Sequence, residues 1–182
     1  MIFPTNRVAL LVAAAGLCGV TFGSSLAQAA PDFGGRIVAL HNAERVRVGA
    51  APLTWDPVLA AGAAQYAAQI AASGNFVHSD RAARPGIGEN LWAGTRGYYS
   101  VDAAVGGWIA ERRYFVPGIF PNNSSNGNWM SVSHYTQMIW PTTTRVGCAW
   151  ATGRGSDYLV CRYSPKGNID GRTVGPTRGE RG

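Results

Sequence analysis

The sequence predicts an α+β domain in which helices cover both faces of a sheet, and three observations carry that reading. Segments 145–151 and 157–163 have strand composition and are apolar on both faces, so neither face is left to water. Upstream, apolar residues recur at helical spacing between loops rich in Gly, Pro and Asn. Finally, Cys148 and Cys161 stand where one hairpin register makes them neighbours.

The N-terminal stretch is set aside first. Arg7 supplies a short positive region, 8–20 is apolar, and Ala27-Gln28-Ala29 has the small-x-small cleavage pattern. Residues 1–29 therefore read as a signal peptide, 30–171 as one domain and 172–182 as a disordered tail. The apolar run is short for a membrane span and no later stretch approaches about 18 apolar residues. No transmembrane segment is expected after cleavage, and the product is expected to be secreted, extracellular or periplasmic.

The elements follow in order. Ile37, Leu40, His41, Glu44 and Val48 mark a first helix that Gly49 stops. Asp56 caps a second, with Pro57 at its first position, where a missing N–H costs nothing. Leu59, Ala63, Tyr66 and Ile70 form its inward stripe, Gly74 ends it, and its alanines suit close packing on a sheet. Residues 75–100 read as loop with one short strand. A third helix is expected over about 102–115 and a fourth over 132–139, closed by Pro141. Between them, Asn122 and Asn123 each match a glycosylation sequon, which matters only in a eukaryotic secretory pathway.

For the hairpin, Gly153-Arg154-Gly155 supplies the turn. Pairing 152 with 157 sets Cys148 opposite Cys161, Trp150 opposite Leu159 and Val146 opposite Tyr163. Opposed Cα atoms lie about 4.5–5.5 Å apart, inside disulfide range. An oxidising compartment favours the bond, which would stabilise by about 3 kcal/mol in the chain-entropy account. The alternative is a buried pair of free thiols.

Without Arg7, 15 Lys and Arg face 10 Asp and Glu, a net charge of +5. That suits anionic surfaces such as lipid headgroups or cell-envelope polymers. The basic residues are scattered, as Arg45/Arg47, Arg81/Arg84, Arg112/Arg113 and Arg172/Arg178/Arg181. No basic stripe interleaves with aromatics, so nucleic acid is not an expected partner.

Four residues invite chemistry. Ala104, Trp108, Glu111 and Phe115 share one helical stripe, so Glu111 is a carboxylate among apolar neighbours that needs a partner, a proton or a cation. The alternative is an ion pair with an arginine. His134 begins the fourth helix, where a lone His is more often structural. His78 stands in Asn75-Phe76-Val77-His78-Ser79-Asp80, and Glu89 in Gly88-Glu89-Asn90-Leu91-Trp92. No HExxH, CxxC or GxSxG motif names a reaction.

His134 to Thr143 resembles the first signature of the CAP superfamily: cysteine-rich secretory, antigen-5 and pathogenesis-related-1 proteins. Tyr158 to Ile169 resembles the second, and His41-Asn42-x-x-Arg45 and Gly88-Glu89-Asn90-Leu91 stand where that family has them. The likeness covers about 35–171. It implies a three-layer α-β-α sandwich with a central, largely antiparallel sheet. It also implies a cleft of two His and two Glu: His78 and His134 as ligands of a divalent cation, commonly zinc, with Glu89 and Glu111 beside them. His41 belongs to the packing of the first helix.

Three departures stand out. Ser133 replaces the usual Gly or charged residue, only one of the family's several disulfides can form, and no cysteine-rich module is seen to follow. Ion-channel activity is therefore not expected, and the chain reads as a minimal, bacterial form. The resemblance implies a non-enzymatic secreted protein with a cation in the cleft and a lipid or sterol ligand, in an antimicrobial or host-interaction role. Trp92, Tyr98, Tyr99, Trp129 and Trp140 are candidate apolar contacts. One alternative is a metal-dependent hydrolase using the same cleft. A second is adhesion to anionic envelope polymers.

Overall fold

The computed structural model describes residues 32–175. The signal peptide read over 1–29 and the last seven positions of the tail lie outside them. Helix α1 spans Phe33–Arg47 and begins four residues before Ile37, the first residue of its apolar period. Its Gly-Gly-Arg first turn carries no period, and the start is set by the Asp32 side chain, which accepts from Gly35 N–H. Helix α2 spans Pro57–Ser73. Asp56 Oδ1 accepts from the Val58 and Leu59 N–H groups, and Gly74 closes the helix at φ 75°, a left-handed conformation that glycine adopts freely.

The strands are β1 (Thr54–Trp55), β2 (Gly88–Thr95), β3 (Gly118–Ile119), β4 (Arg145–Thr152), β5 (Ser156–Ser164) and β6 (Thr173–Val174). Four of them form a sheet in the order β1-β4-β5-β2, with β1 parallel to β4 and the other pairs antiparallel. Strand β2 occupies eight residues where one short strand was expected. The hairpin register is the expected one: Thr152 faces Asp157, Trp150 faces Leu159 and Val146 faces Tyr163. Cys148 faces Cys161 at a Cα separation of 4.1 Å, and the two are bonded.

The two faces of β5 part its neighbours by pleat. Tyr158 and Val160 face α2, packing with Ala63, Ala67, Ile70 and Leu91. A Cβ at Gly147 would overlap the backbone of Asp56 and Ala60, so glycine lets α2 lie against the sheet. Leu159, Cys161 and Tyr163 face the opposite layer. There they meet Ile37 of α1, Ala104, Val105 and Trp108 of α3 (Val101–Ala110), and Tyr135 and Met138 of α4 (Ser133–Met138). Helix, sheet and helix form the three-layer α-β-α sandwich, an α+β fold.

Three expectations are corrected. Helix α3 stops at Ala110 and Glu111–Tyr114 tightens into a 3₁₀ turn, so Glu111 leaves the apolar stripe that Ala104 and Trp108 keep. Residues 172–175 are not tail: Thr173 and Val174 pair with β3, and fully buried Val174 joins the core. Arg45 does not belong to the surface charge. It is fully buried and donates to the carbonyls of Ala51, Met138, Trp140 and Thr143 at 2.5–3.0 Å, closing the end of α4. Burial pushes its pKa down to about 10.

Candidate functional site

Strand β2 is an edge of the sheet, and a cavity of about 940 Å³ opens beside its first residues. Alternation along β2 decides what reaches it from each side. Glu89, opposite Arg162, points to the α2 face, whereas Asn90, opposite Cys161, points to the other layer. His78, Glu89 and His134 all line the cavity. Glu111 is not on its wall; it stands behind His134.

In the first half the carboxylate is the hidden member. The Glu89 side chain has no exposed surface, while His78 is 56% exposed. Glu89 Oε1 accepts from His78 Nδ1 and Ser79 N–H, both at 2.9 Å, and Oε2 accepts from the Ser79 hydroxyl at 2.6 Å. Two guanidiniums flank it, Arg162 at 3.5 Å and Arg84 at 3.8 Å. Burial by itself would push the Glu89 pKa up. The hydrogen bonds from His78 and Ser79, with the charge of Arg84, outweigh that and hold it below the ordinary carboxylate range.

In the second half the carboxylate serves the backbone. Helix α4 has no side-chain cap of its own, and Glu111 Oε2 supplies one from another element. It accepts from His134 N–H at 2.9 Å and Tyr135 N–H at 3.0 Å. Glu111 Oε1 takes His134 Nδ1 at 2.6 Å. The imidazole lies flat against Trp108, with ring centroids 5.8 Å apart and planes 14° apart. The arginine partner considered for Glu111 belongs to Glu89 instead, and Arg112 goes to Glu44.

With Nδ1 of each ring held by a carboxylate, Nε2 is the nitrogen left for a ligand, which is how metal-ligating imidazoles are commonly oriented. Among the described residues no three of His, Cys, Asp and Glu converge as a metal cluster. A cation held here would have at most the two imidazoles from the protein and would take its other ligands from elsewhere, an open arrangement and not a closed structural site. Phe120, Trp129 and Ile169 also line the cavity. Trp129 is 42% exposed, but Trp140 is core at 2%, so its place among the apolar contacts is withdrawn. Trp92, Tyr98 and Tyr99 cluster away from the cavity wall. Ser133 turns its hydroxyl back to Met130 O, at 3.2 Å.

Sequence reasoning missed Ser79, Arg84, Arg162 and Trp108. The signal for Arg162 exists only once β2 is known to pair with β5, which sets it opposite Glu89. Trp108 read as core, which it also is.

Residues 38–163 match the CAP family, described as the cysteine-rich secretory protein family. The chain belongs to this family. It is 39% identical to pathogenesis-related protein 1C of Nicotiana tabacum over 134 residues, 73% of this chain and 75% of that one. It is 35% identical to secreted protein RBT4 of Candida albicans over 143 residues, 77% of this chain and 37% of that one. Among solved structures it resembles NaASP2 with Zn²⁺, at TM-score 0.67 and 24% identity over 81% of this chain and 90% of that one. It also resembles BmVAL-1, at TM-score 0.60 and 26% identity over 79% and 82%. The two sequence relatives named come from a plant and a fungus and lend no support to a bacterial source.

Proposed function

We propose that this is an exported, non-enzymatic CAP-domain protein whose cleft holds a divalent cation between His78 and His134. The observation that carries the reading is the repeated His–Glu pair: both imidazoles line one cavity, and each has its Nδ1 tied to a carboxylate. Glu89 and Glu111 orient the rings and do not bind the cation themselves. Zinc is the cation proposed, in keeping with the Zn²⁺ of the NaASP2 structure. A bound cation would supply a positive centre for a polar ligand group, beside the apolar rim of Phe120, Trp129 and Ile169. That rim supports a lipid or sterol as the organic ligand. Removal of 1–29 on export, with the domain beginning near residue 30, belongs to the same proposal, as does an extracellular or periplasmic destination. RBT4 is itself a secreted protein.

The same geometry counts against the hydrolase alternative. A general base must come within hydrogen-bond reach of the proton it takes, and here the Glu89 side chain has no exposed surface while Glu111 is off the cavity wall. Adhesion to anionic polymers loses support too. Arg45 is buried, and Arg36, Arg112 and Arg145 are paired with Asp102, Glu44 and Asp56.

Calorimetric zinc titration tests the reading on the wild type and on His78→Ala and His134→Ala. Each substitution is expected to weaken binding at least about tenfold. Affinity that survives both would overturn the cation assignment. Metal-dependent turnover lost in Glu89→Ala or Glu111→Ala would restore the hydrolase.

A further inference from the structure

A buried chain of hydrogen bonds runs from the first helix to His134. His41 Nδ1 lies 2.8 Å from Ile37 O, and its Nε2 lies 2.9 Å from the Tyr163 hydroxyl. Asn90 Nδ2 lies 3.2 Å from that hydroxyl and 3.1 Å from His134 O. His41 and Tyr163 are fully buried and Asn90 is 2% exposed.

The chemistry fixes the direction of every bond. A carbonyl only accepts, so His41 Nδ1 carries a proton and donates it to Ile37 O. Burial keeps the ring neutral, its pKa pushed down to about 4, so Nε2 is bare and accepts from the Tyr163 O–H. That commits the only hydroxyl proton, and the tyrosine oxygen accepts from Asn90. The second hydrogen of the Asn90 amide goes to His134 O; a flipped amide would set oxygen against oxygen there.

We propose that Tyr163 and Asn90 are positioning residues for His134, holding its carbonyl while Glu111 holds its N–H and its ring. His134 is thereby restrained by four contacts, two on its backbone and two on its ring: Asn90 at the carbonyl, Glu111 at the amide and at Nδ1, and Trp108 at the ring face. His78 has no such frame. Packing against Cys161 and the core does not need the Tyr163 hydroxyl, since a phenylalanine would fill the same space. The role deepens the cation reading above, but the placement of the ring does not depend on it.

The test uses imidazole nitrogen–proton NMR spectra of metal-free Tyr163→Phe and Asn90→Leu, each shown folded by its thermal transition. Wild-type His134 should show a slowly exchanging Nδ1 proton. In Tyr163→Phe the His134 signals should move and that proton should exchange at least about tenfold faster, while His78 signals stay in place. Asn90→Leu removes both amide donors in nearly the same volume and should do the same. A zinc titration followed through these signals should show affinity falling about tenfold, the low end for an outer partner of a metal ligand. Unmoved His134 signals with wild-type exchange in either folded variant would overturn the proposal. Absence of zinc binding in the wild type would overturn the cation reading alone, since the metal-free spectra still decide the positioning role.

Discussion

In the half of the cleft built from residues 78–89, a carboxylate without exposed surface is held between two guanidiniums, and its histidine is more than half exposed. In the half built from Glu111 and His134 the exposures are 17% and 31%, and the carboxylate is tied to two backbone N–H groups and a ring. The same residue types thus do different physical work. Burying Glu89 demands compensating charge, and Arg84 and Arg162 make it part of what holds the fold together. Glu111 caps a helix that has no cap of its own, and in doing so aims His134. One half resists disruption, while the other is tuned in geometry.

The comparison breaks most readily at Glu89. Glu89→Gln leaves two largely buried guanidiniums without their anion, so chemical denaturation should show a loss of about 3–5 kcal/mol. A loss below about 1 kcal/mol would mean that the buried cluster is not what holds this half.

Acid separates the halves next. His41 has its pKa lowered from about 6.5 to about 4, so between those values the unfolded chain binds a proton that the folded one refuses. Stability tied to the Tyr163–Asn90–His134 side should therefore fall as pH drops from about 6.5 to 4, by roughly 3 kcal/mol in total. The contribution of Glu89 has the carboxylate sign: present above the unfolded value near 4.3, and lost only as pH falls through its lower folded value. Denaturation midpoints measured from pH 7 to 3 should show two stages, and His41→Gln should remove much of the first. A single stage below pH 4 would contradict the order.

Smaller effects refine the picture. Glu111→Gln keeps the shape and one acceptor oxygen for the two N–H groups but loses the second acceptor and the charge at the start of α4, so about 1 kcal/mol should be lost. Glu111→Ala should cost about 2 kcal/mol, the upper end for a lost helix cap, and free the His134 ring, visible as added side-chain motion by NMR relaxation. His78→Ala should change stability by no more than about 0.5 kcal/mol, as befits an exposed side chain. A larger loss would make His78 a structural partner of Glu89 and sink the contrast.

Much of the fold was legible because local chemistry and tertiary packing agreed. Asp56, Pro57 and Gly74 mark the ends of α2, and the turn at Gly153-Arg154-Gly155 fixes a hairpin register that also sets Cys148 against Cys161. Strand β2 is longer than its sequence suggests because Gly-Glu-Asn-Leu is polar: Glu89 is satisfied by the preceding loop and by Arg162, and Asn90 by His134 and Tyr163, far away in sequence. The end of α3 was placed too late because Phe115 continues the helical period while the backbone has already tightened at Glu111. Strand β6 is two residues paired with two others, too short to leave a pattern.

By itself, the sequence determined the layered fold and the hairpin register, and through its resemblance to a family it singled out two His and two Glu as candidates. Periodicity, caps and signature motifs are local, so they survive in a linear string. Only the tertiary structure decided which Glu serves which His, that Glu89 takes the arginines, and that Tyr163 and Asn90 reach His134. Those pairings depend on β2 lying beside β5 and on Glu111 meeting the start of α4. Hydrogen bonds between distant segments leave no spacing to read, because their partners are set by how the layers stack.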